Sequence, residues 1–315
     1  MHAGDRQYRQ AFGLMDRSAA LPNSASTRFG IASGTKFLTA LGVGKLIDQG
    51  LLGLETPLLD CVGMPLPGVS AKVTIEHLLS HTSGVYDYFD EELIEDFDSF
   101  ELSIPPFKLK RLRDYLPMLT AGPSKFEPGH RFAYSNGGYI FLGLVIEQVT
   151  GSSFQEFIQT EIFDAAALPN SGFFALDQLP AQVAHGYIDL PGGDFRSNVY
   201  TLPVVGGADG GAYTTADDFL QLWREFAAER VLSPDLTRTF RSGSKQSEGK
   251  YGRGMWISQD DPARPFPYVE GADAGVSFQS GHVREGLSYA LLSNTSGGVW
   301  PFCEPIRSGL LRIAN

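Results

Sequence analysis

The chain reads as an α+β fold: an antiparallel sheet flanked by helices, with a helical part inserted between its strands. Three observations predict it. Strand-like stretches at 251–258, 267–271, 275–283 and 287–293 fill the end of the chain, and another at 7–14 opens it. Helical apolar patterns dominate what lies between. The chain has 315 residues, more than one continuous core sustains, so a body in two parts is expected. We place a sheet part at 1–60 and 205–315 and a mainly helical part at 61–204.

Each element has its own signal. Residues 7–14 (Gln-Tyr-Arg-Gln-Ala-Phe-Gly-Leu) read as a strand entering a turn, and 15–28 are polar and turn-rich. Phe29-Gly30-Ile31-Ala32 leads into Ser33, and Phe37, Leu38, Ala40, Leu41, Val43, Leu46 and Ile47 follow. These apolar positions occupy nearly every helical face, which predicts a helix buried all round. Gly50 is its stop signal. A second helix is expected from about Gly138 to Val149, ending at Thr150-Gly151, and an amphipathic one over 153–163. Residues 203–215 form a Gly-rich bend, and Thr215-Ala216-Asp217-Asp218 caps a helix that runs through Phe226. Residues 239–250 read as a polar loop, and a last helix as Glu304 to Arg312. Between Tyr86 and Phe100 lie Asp87, Asp90, Glu91, Glu92, Glu95, Asp96 and Asp98. That run reads as a solvated face, with a lid or substrate rim as its functional alternative.

Composition excludes several function classes. The apolar fraction is 43% and the charged fraction 19%, which suits a packed core and not a disordered chain. The net charge of −11 and the lack of Lys/Arg clusters argue against nucleic acid and against anionic membrane surfaces. No apolar run reaches the length of a spanning helix. The first residues carry no basic-then-apolar leader pattern, so a cytoplasmic location is the default expectation. Cys61 and Cys303 are expected to be free thiols, since a core of this size needs no staple. His77 and His81 are four apart, but Leu78 stands where a zincin places Glu, so a loop or packing role is expected. No metal and no cofactor are called for.

Nucleophilic hydrolysis needs an oxygen, a base beside it and donors for the oxyanion. Ser33-Gly34-Thr35-Lys36 supplies the first two, because positions i and i+3 of a helix share a face. The helix N-terminus adds free N–H groups and partial positive charge. An apolar wall around Lys36 would disfavour its ammonium form. The same spacing occurs at Ser242/Lys245 and Ser247/Lys250, in a polar loop with nothing to bury the amine. Context selects Ser33. Roughly 100 residues downstream, Tyr134-Ser135-Asn136 offers a phenol to relay a proton and an amide to hold a substrate carbonyl.

These motifs together resemble the serine β-lactamase and penicillin-binding-protein-like family, especially its class C and esterase-like branch. Ser33 and Lys36 match its Ser-x-x-Lys, and Tyr134 and Asn136 its Tyr-x-Asn. Leu78-Leu79-Ser80-His81-Thr82-Ser83-Gly84 is similar to its His-Thr-Ser-Gly loop, and Gly206-Gly207 through Gly210-Gly211 to its Gly-rich entry to a late helix. The resemblance implies a β-lactamase/transpeptidase-like fold with the site in a cleft. It also implies an acyl-enzyme route in which Ser33 attacks a carbonyl and Lys36 and Tyr134 move protons. The expected substrate is a small or peptide-like ester or amide.

Two departures from the family pattern stand out. Its opening helix and first strand are short or missing here, which leaves a sheet edge open to pairing. Its Lys-Thr-Gly or His-x-Gly strand aligns with Glu270-Gly271-Ala272, followed by Asp273, whose N–H is the expected oxyanion donor. Gly271 and Ala272 let a substrate approach. Glu270 is expected to repel a substrate carboxylate and to favour charged Lys36, which points to neutral or amine-bearing substrates. The competing reading is a ligand-binding or regulatory module whose catalysis was lost at this third motif. An α/β-hydrolase is excluded by the lack of Gly-x-Ser-x-Gly, and a P-loop enzyme by Leu46 after Gly44-Lys45.

Overall fold

A computed structural model describes residues 1–3 and 6–314. Its main sheet draws strands from both chain ends. They are β1 (His2–Ala3), β2 (Arg6–Gln7), β3 (Trp256–Ile257), β4 (Pro267–Asp273), β5 (Val276–Arg284) and β6 (Leu287–Ser293), in the spatial order β2-β1-β6-β5-β4-β3. Their pairings are antiparallel. The three long strands follow one another through tight turns, Ala274-Gly275 and Glu285-Gly286, whose glycines have φ of +71° and +69°. The α+β reading of the sequence holds.

Helix α1 (Thr35–Asp48) runs through the interior, with Phe37, Ala40, Leu41, Val43 and Leu46 wholly buried. It ends where Gly50 takes φ +70°. Helix α2 (Asn136–Thr150) is capped by Ser135 Oγ, which accepts from Gly138 N, and ends at Gly151 with φ +73°. Helix α3 (Ala216–Ala227) is capped by Thr215 and packs on the sheet, where Trp223 Nε1 donates to Ser280 Oγ at 2.9 Å. Phe37 of α1 stacks on Trp223 at 4.8 Å, and Phe219 meets Phe278 of β5 edge-on at 4.9 Å. Thus α1 lies between the sheet side and α2. Helix α4 (Trp300–Ala314) packs against β5 and β6.

Three sequence expectations are corrected. The strand placed at 7–14 is absent: after β2 the chain is irregular until Leu14–Asp16. Phe12 is exposed there, Gly13 turns at φ +68°, and the start of β6 is taken by β1 instead. The strand placed at 251–258 shrinks to β3, because Gly252 N bonds Met255 O across a turn with Gly254 at φ +80°. The last helix begins earlier than Glu304, at Trp300, and carries Pro305 in its interior.

One contact fixes how closely α1 approaches the sheet. A Cβ on Gly34 would stand 2.5 Å from Phe278 Cε1. The Phe278 ring is fully buried and held by Phe219, so it has little room to yield. Gly34→Ala is therefore expected to destabilise the protein by about 1–3 kcal/mol through overpacking, seen as a lower urea midpoint. An unchanged midpoint would show that this junction is loosely packed.

Candidate active site

Ser33 sits in a single 3₁₀ turn, Ala32–Gly34, that leads directly into α1. The turn is pinned from both sides: Ile31 N donates to Ala212 O, and Gly34 N to Ile31 O. Ala32 takes φ +43°, an uncommon conformation for a residue with a Cβ, immediately before the nucleophile. The serine thus projects from the start of a buried helix.

Lys36 follows one turn on and is 1% exposed. Its Nζ lies 2.9 Å from Ser33 Oγ, 2.6 Å from Asn136 Oδ1 and 2.7 Å from the backbone oxygen of Asp209. Three segments distant in sequence meet at this one nitrogen. The Gly-rich bend is also tied to α1 by Thr39 Oγ1, which donates to Ala208 O, and by Ala212 N, which donates to Thr35 Oγ1. Burial lowers the Lys36 pKa. Carboxylates oppose that shift, Asp209 most, then Glu91, Asp273 and Asp87. By contrast, Lys245 and Lys250 of the other two Ser-x-x-Lys pairs are exposed.

Tyr134 packs its ring against Lys36, with Nζ 5.0 Å from the ring centroid, and its hydroxyl lies near enough to Ser33 to act on it. Burial holds its pKa well above the usual phenol value, so it stays an O–H group. A wall of rings fixes it: His81 at 4.2 Å, Trp256 stacked at 6.1 Å and Tyr251 edge-on at 6.3 Å. His81 Nδ1 accepts from Ser135 N at 3.0 Å, which leaves Nε2 to donate to Tyr251 at 3.1 Å. Burial keeps this histidine neutral. His77, the other member of the pair, caps the short helix Ile75–Leu79. Among the described residues no cluster of His, Cys, Asp and Glu is arranged to hold a metal ion, and both cysteines are free.

Asn136 faces two ways. Its Oδ1 accepts from Lys36, while Nδ2 donates to Phe89 O at 2.8 Å and to Glu91 Oε1 at 3.1 Å. Both amide hydrogens are thus spent within the protein, so the substrate-carbonyl contact expected of Asn136 has no free donor here, and its oxygen is turned to Lys36 instead. The acidic stretch supplies these partners, which overturns its reading as a purely solvated face. Asp87 is buried and accepts from the backbone N–H groups of Asn136 and Gly137, where the start of α2 leaves them free. Desolvation nevertheless pushes its pKa up to about 7. Tyr88 donates its hydroxyl to Asp209 Oδ2 at 2.6 Å.

Strand β4 borders Ser33. A Cβ on Gly271 would lie 2.7 Å from Ser33 N and 2.3 Å from Ile31 O, so only glycine permits this approach. Phe266 O accepts from Ser258 N on the outer edge, and backbone directions alternate along a strand. Glu270 and Ala272 therefore aim their N–H groups outward, whereas Asp273 aims its own at β5, where it pairs with Val276. The strand donor expected at Asp273 moves to Ala272. The Glu270 carboxylate accepts from Gln279 Nε2 at 2.9 Å and feels Arg307 of α4. The acids acting on Lys36 are those named above, not Glu270 as the sequence suggested.

Ser33 opens into a pocket walled by Tyr88, Phe89, Phe97, Phe100, Phe174 and Leu202, with Asn136, Thr201, Asp209 and Asp273 among its polar members. Sequence reasoning missed Asp209, Asp273's side chain and His81 as parts of this arrangement. The position of Asp209 within the Gly-rich bend was the available signal.

A family model described as Beta-lactamase matches residues 1–304. The chain is 34% identical over 206 residues to penicillin-binding protein 4* of Bacillus subtilis, covering 64% of this chain and 42% of that protein. It is 28% identical to esterase EstB of Burkholderia gladioli, covering 93% and 84%. With a teichoic acid D-alanine hydrolase of Staphylococcus aureus the identity is 26%, covering 81% and 60%. The chain thus spans about half the length of the first and of the last of these. Among solved structures, a penicillin-binding protein from Bacillus halodurans superposes with a TM-score of 0.91 at 41% identity, covering 98% of this chain and 94% of that one. Sequence match and superposition lead to one conclusion: this chain belongs to the Beta-lactamase family.

Proposed function

We propose that this chain is a serine hydrolase that cleaves an ester or amide through an acyl-enzyme on Ser33. The observation that carries this reading is the set of partners around Lys36 Nζ. Two of them, Asn136 Oδ1 and Asp209 O, are carbonyl oxygens that can only accept. A neutral amine gives its two N–H groups to them and is left with one lone pair, directed at the remaining partner, Ser33. That partner has a proton to give. Burial supports the neutral form. A binding module has no use for a desolvated amine held against a hydroxyl.

The chemistry follows from this geometry. Ser33 Oγ bonds to the substrate carbonyl carbon as its proton passes to Lys36. The N–H groups of Ser33 and Ala272 take the oxyanion. The tetrahedral centre collapses, its bond to the leaving alcohol or amine breaks, and Tyr134 relays the proton from Lys36 to that group. Water then attacks the acyl-enzyme, giving its proton back through the same groups, and frees the acid and Ser33. The hydrolase names of several relatives agree with this reading, namely an esterase and a D-alanine hydrolase.

A fluorophosphonate probe is expected to add covalently to Ser33, with the mass increase absent in Ser33→Ala. Ester hydrolysis should fall by at least about 10³-fold in that variant. Labelling that persists in Ser33→Ala would sink the assignment.

The base form is the neutral amine, so kcat/KM should rise with pH as Lys36 loses its proton. Asp209 is the strongest of the charges that favour the ammonium. Asp209→Asn is therefore expected to move the acid limb of the pH profile to lower pH. A limb that stays put, or moves up, would show that Lys36 does not control it.

A further inference from the structure

Around Ser33 more carboxyl groups gather than its one neighbouring lysine can pair with. Asp209, Glu91 and Asp273 all act on Lys36, the only lysine among the pocket groups that act on these acids. Two of the three are otherwise occupied: Asp209 accepts from Tyr88, and Glu91 from Asn136. Asp273 differs. No donor among the described residues reaches its carboxylate, and what exposure it has is to the pocket. The carboxylate stands over Gly210 and beside the turn of Ser33: a Cβ on Gly210 would be 3.7 Å from both Asp273 Oδ2 and Ala32 O. Desolvation and the neighbouring Asp209 push its pKa up to about 7. A carboxyl group with no partner of its own stands beside the turn of Ser33.

The other walls of the pocket are apolar. Phe89, Phe97 and Phe100 from the 86–100 stretch face Phe174, Leu176 and Leu202. Phe89 and Phe100 meet edge-on at 4.9 Å, and Phe89 lies 5.7 Å from Phe97, so this side is a ring cluster of its own. A ligand that satisfies both surfaces has one cationic donor and one bulky apolar group. It also has a carbonyl near both, because Ser33 and Asp273 share the pocket.

We propose that the pocket takes the acyl group of an apolar amino-acid ester or amide with a free amine, the ammonium seated on Asp273 with Asp209 behind it and the side chain against the phenylalanine wall. The proposal rests on the hydrolase reading above and adds the substrate class. It replaces the sequence-based argument from Glu270, whose carboxylate is held by Gln279. A carboxylate-bearing acyl group is disfavoured by the same charges.

Matched methyl esters test this: phenylalanine methyl ester in both hands, its N-acetyl form, and methyl 3-phenylpropanoate, assayed from slightly below to slightly above neutral pH so that both the amine and the Asp273 carboxyl are sampled in their charged forms. The better hand of the free-amine ester is expected to exceed the deaminated ester in kcat/KM by on the order of tenfold to a hundredfold, as for a charge-assisted hydrogen bond. Asp273→Asn should pull that ratio towards one, and Asp273→Glu should recover part of it. A wild-type ratio at or below one overturns the subsite while leaving the hydrolase reading intact. So does an Asp273→Asn variant that keeps the wild-type ratio. If none of the esters is turned over in a Ser33-dependent way, the hydrolase reading and the subsite fall together.

Discussion

The arrangement depends on one buried nitrogen. Lys36 Nζ has no contact with bulk water and finds its partners in a serine, an amide oxygen and a backbone carbonyl from three separate parts of the chain. An unpaired amine at such depth would cost several kcal/mol, so each of those partners is held in place by bonds of its own. Asn136 is fixed by Asp87 at its backbone and by Phe89 and Glu91 at its side chain. The Asp209 carbonyl is fixed by the ties between the Gly-rich bend and α1. The sheet side, α2 and the acidic stretch are thereby organised around the same atom.

That dependence sets the electrostatics of the pocket. Burial alone would make Lys36 a neutral amine, and the carboxylates alone would keep it charged. Both act, and the balance leaves its pKa below the ordinary lysine value. The carboxylates pay in turn, since desolvation raises Asp87 and Asp273 to about 7. A group whose pKa is raised on folding stabilises the protein when protonated, and that contribution is lost as pH rises through the folded value. Desolvation thus opposes ionisation of these carboxyls, and a cation placed beside them would favour it.

What the sequence made legible is what local geometry decides. Ser33 and Lys36 stand out because i and i+3 share a helix face, and the apolar run behind them already implied burial. Gly50, Gly151 and Thr215 marked helix ends because capping chemistry is local. The strands over 267–293 stood out as strand-like stretches joined by turns. Strand-like composition could not say whether residues 7–14 had a partner strand along their length, and between Gln7 and Leu14 they have none. Nor could charge content say which acids turn inward. Asp87 and Glu91 face the interior because the start of α2 and the Asn136 amide offer donors there, while Glu92 and Glu95 of the same stretch stay exposed.

The register of β4 shows why a motif can be aligned in sequence and still be misassigned in function. A shift of one residue along a strand exchanges inward and outward groups for both side chains and backbone. Glu270 and Asp273 lie on opposite faces, and their N–H groups point to opposite edges. With Gly271 forced against Ser33 by close contact, the outward donor is Ala272 and the side chain aimed into the pocket is that of Asp273. The glycine that seems to contribute least to the motif therefore fixes the role of every residue around it. Any side chain at Gly271 would push the strand off the nucleophile, and the oxyanion donor and the unpaired carboxylate would move with it.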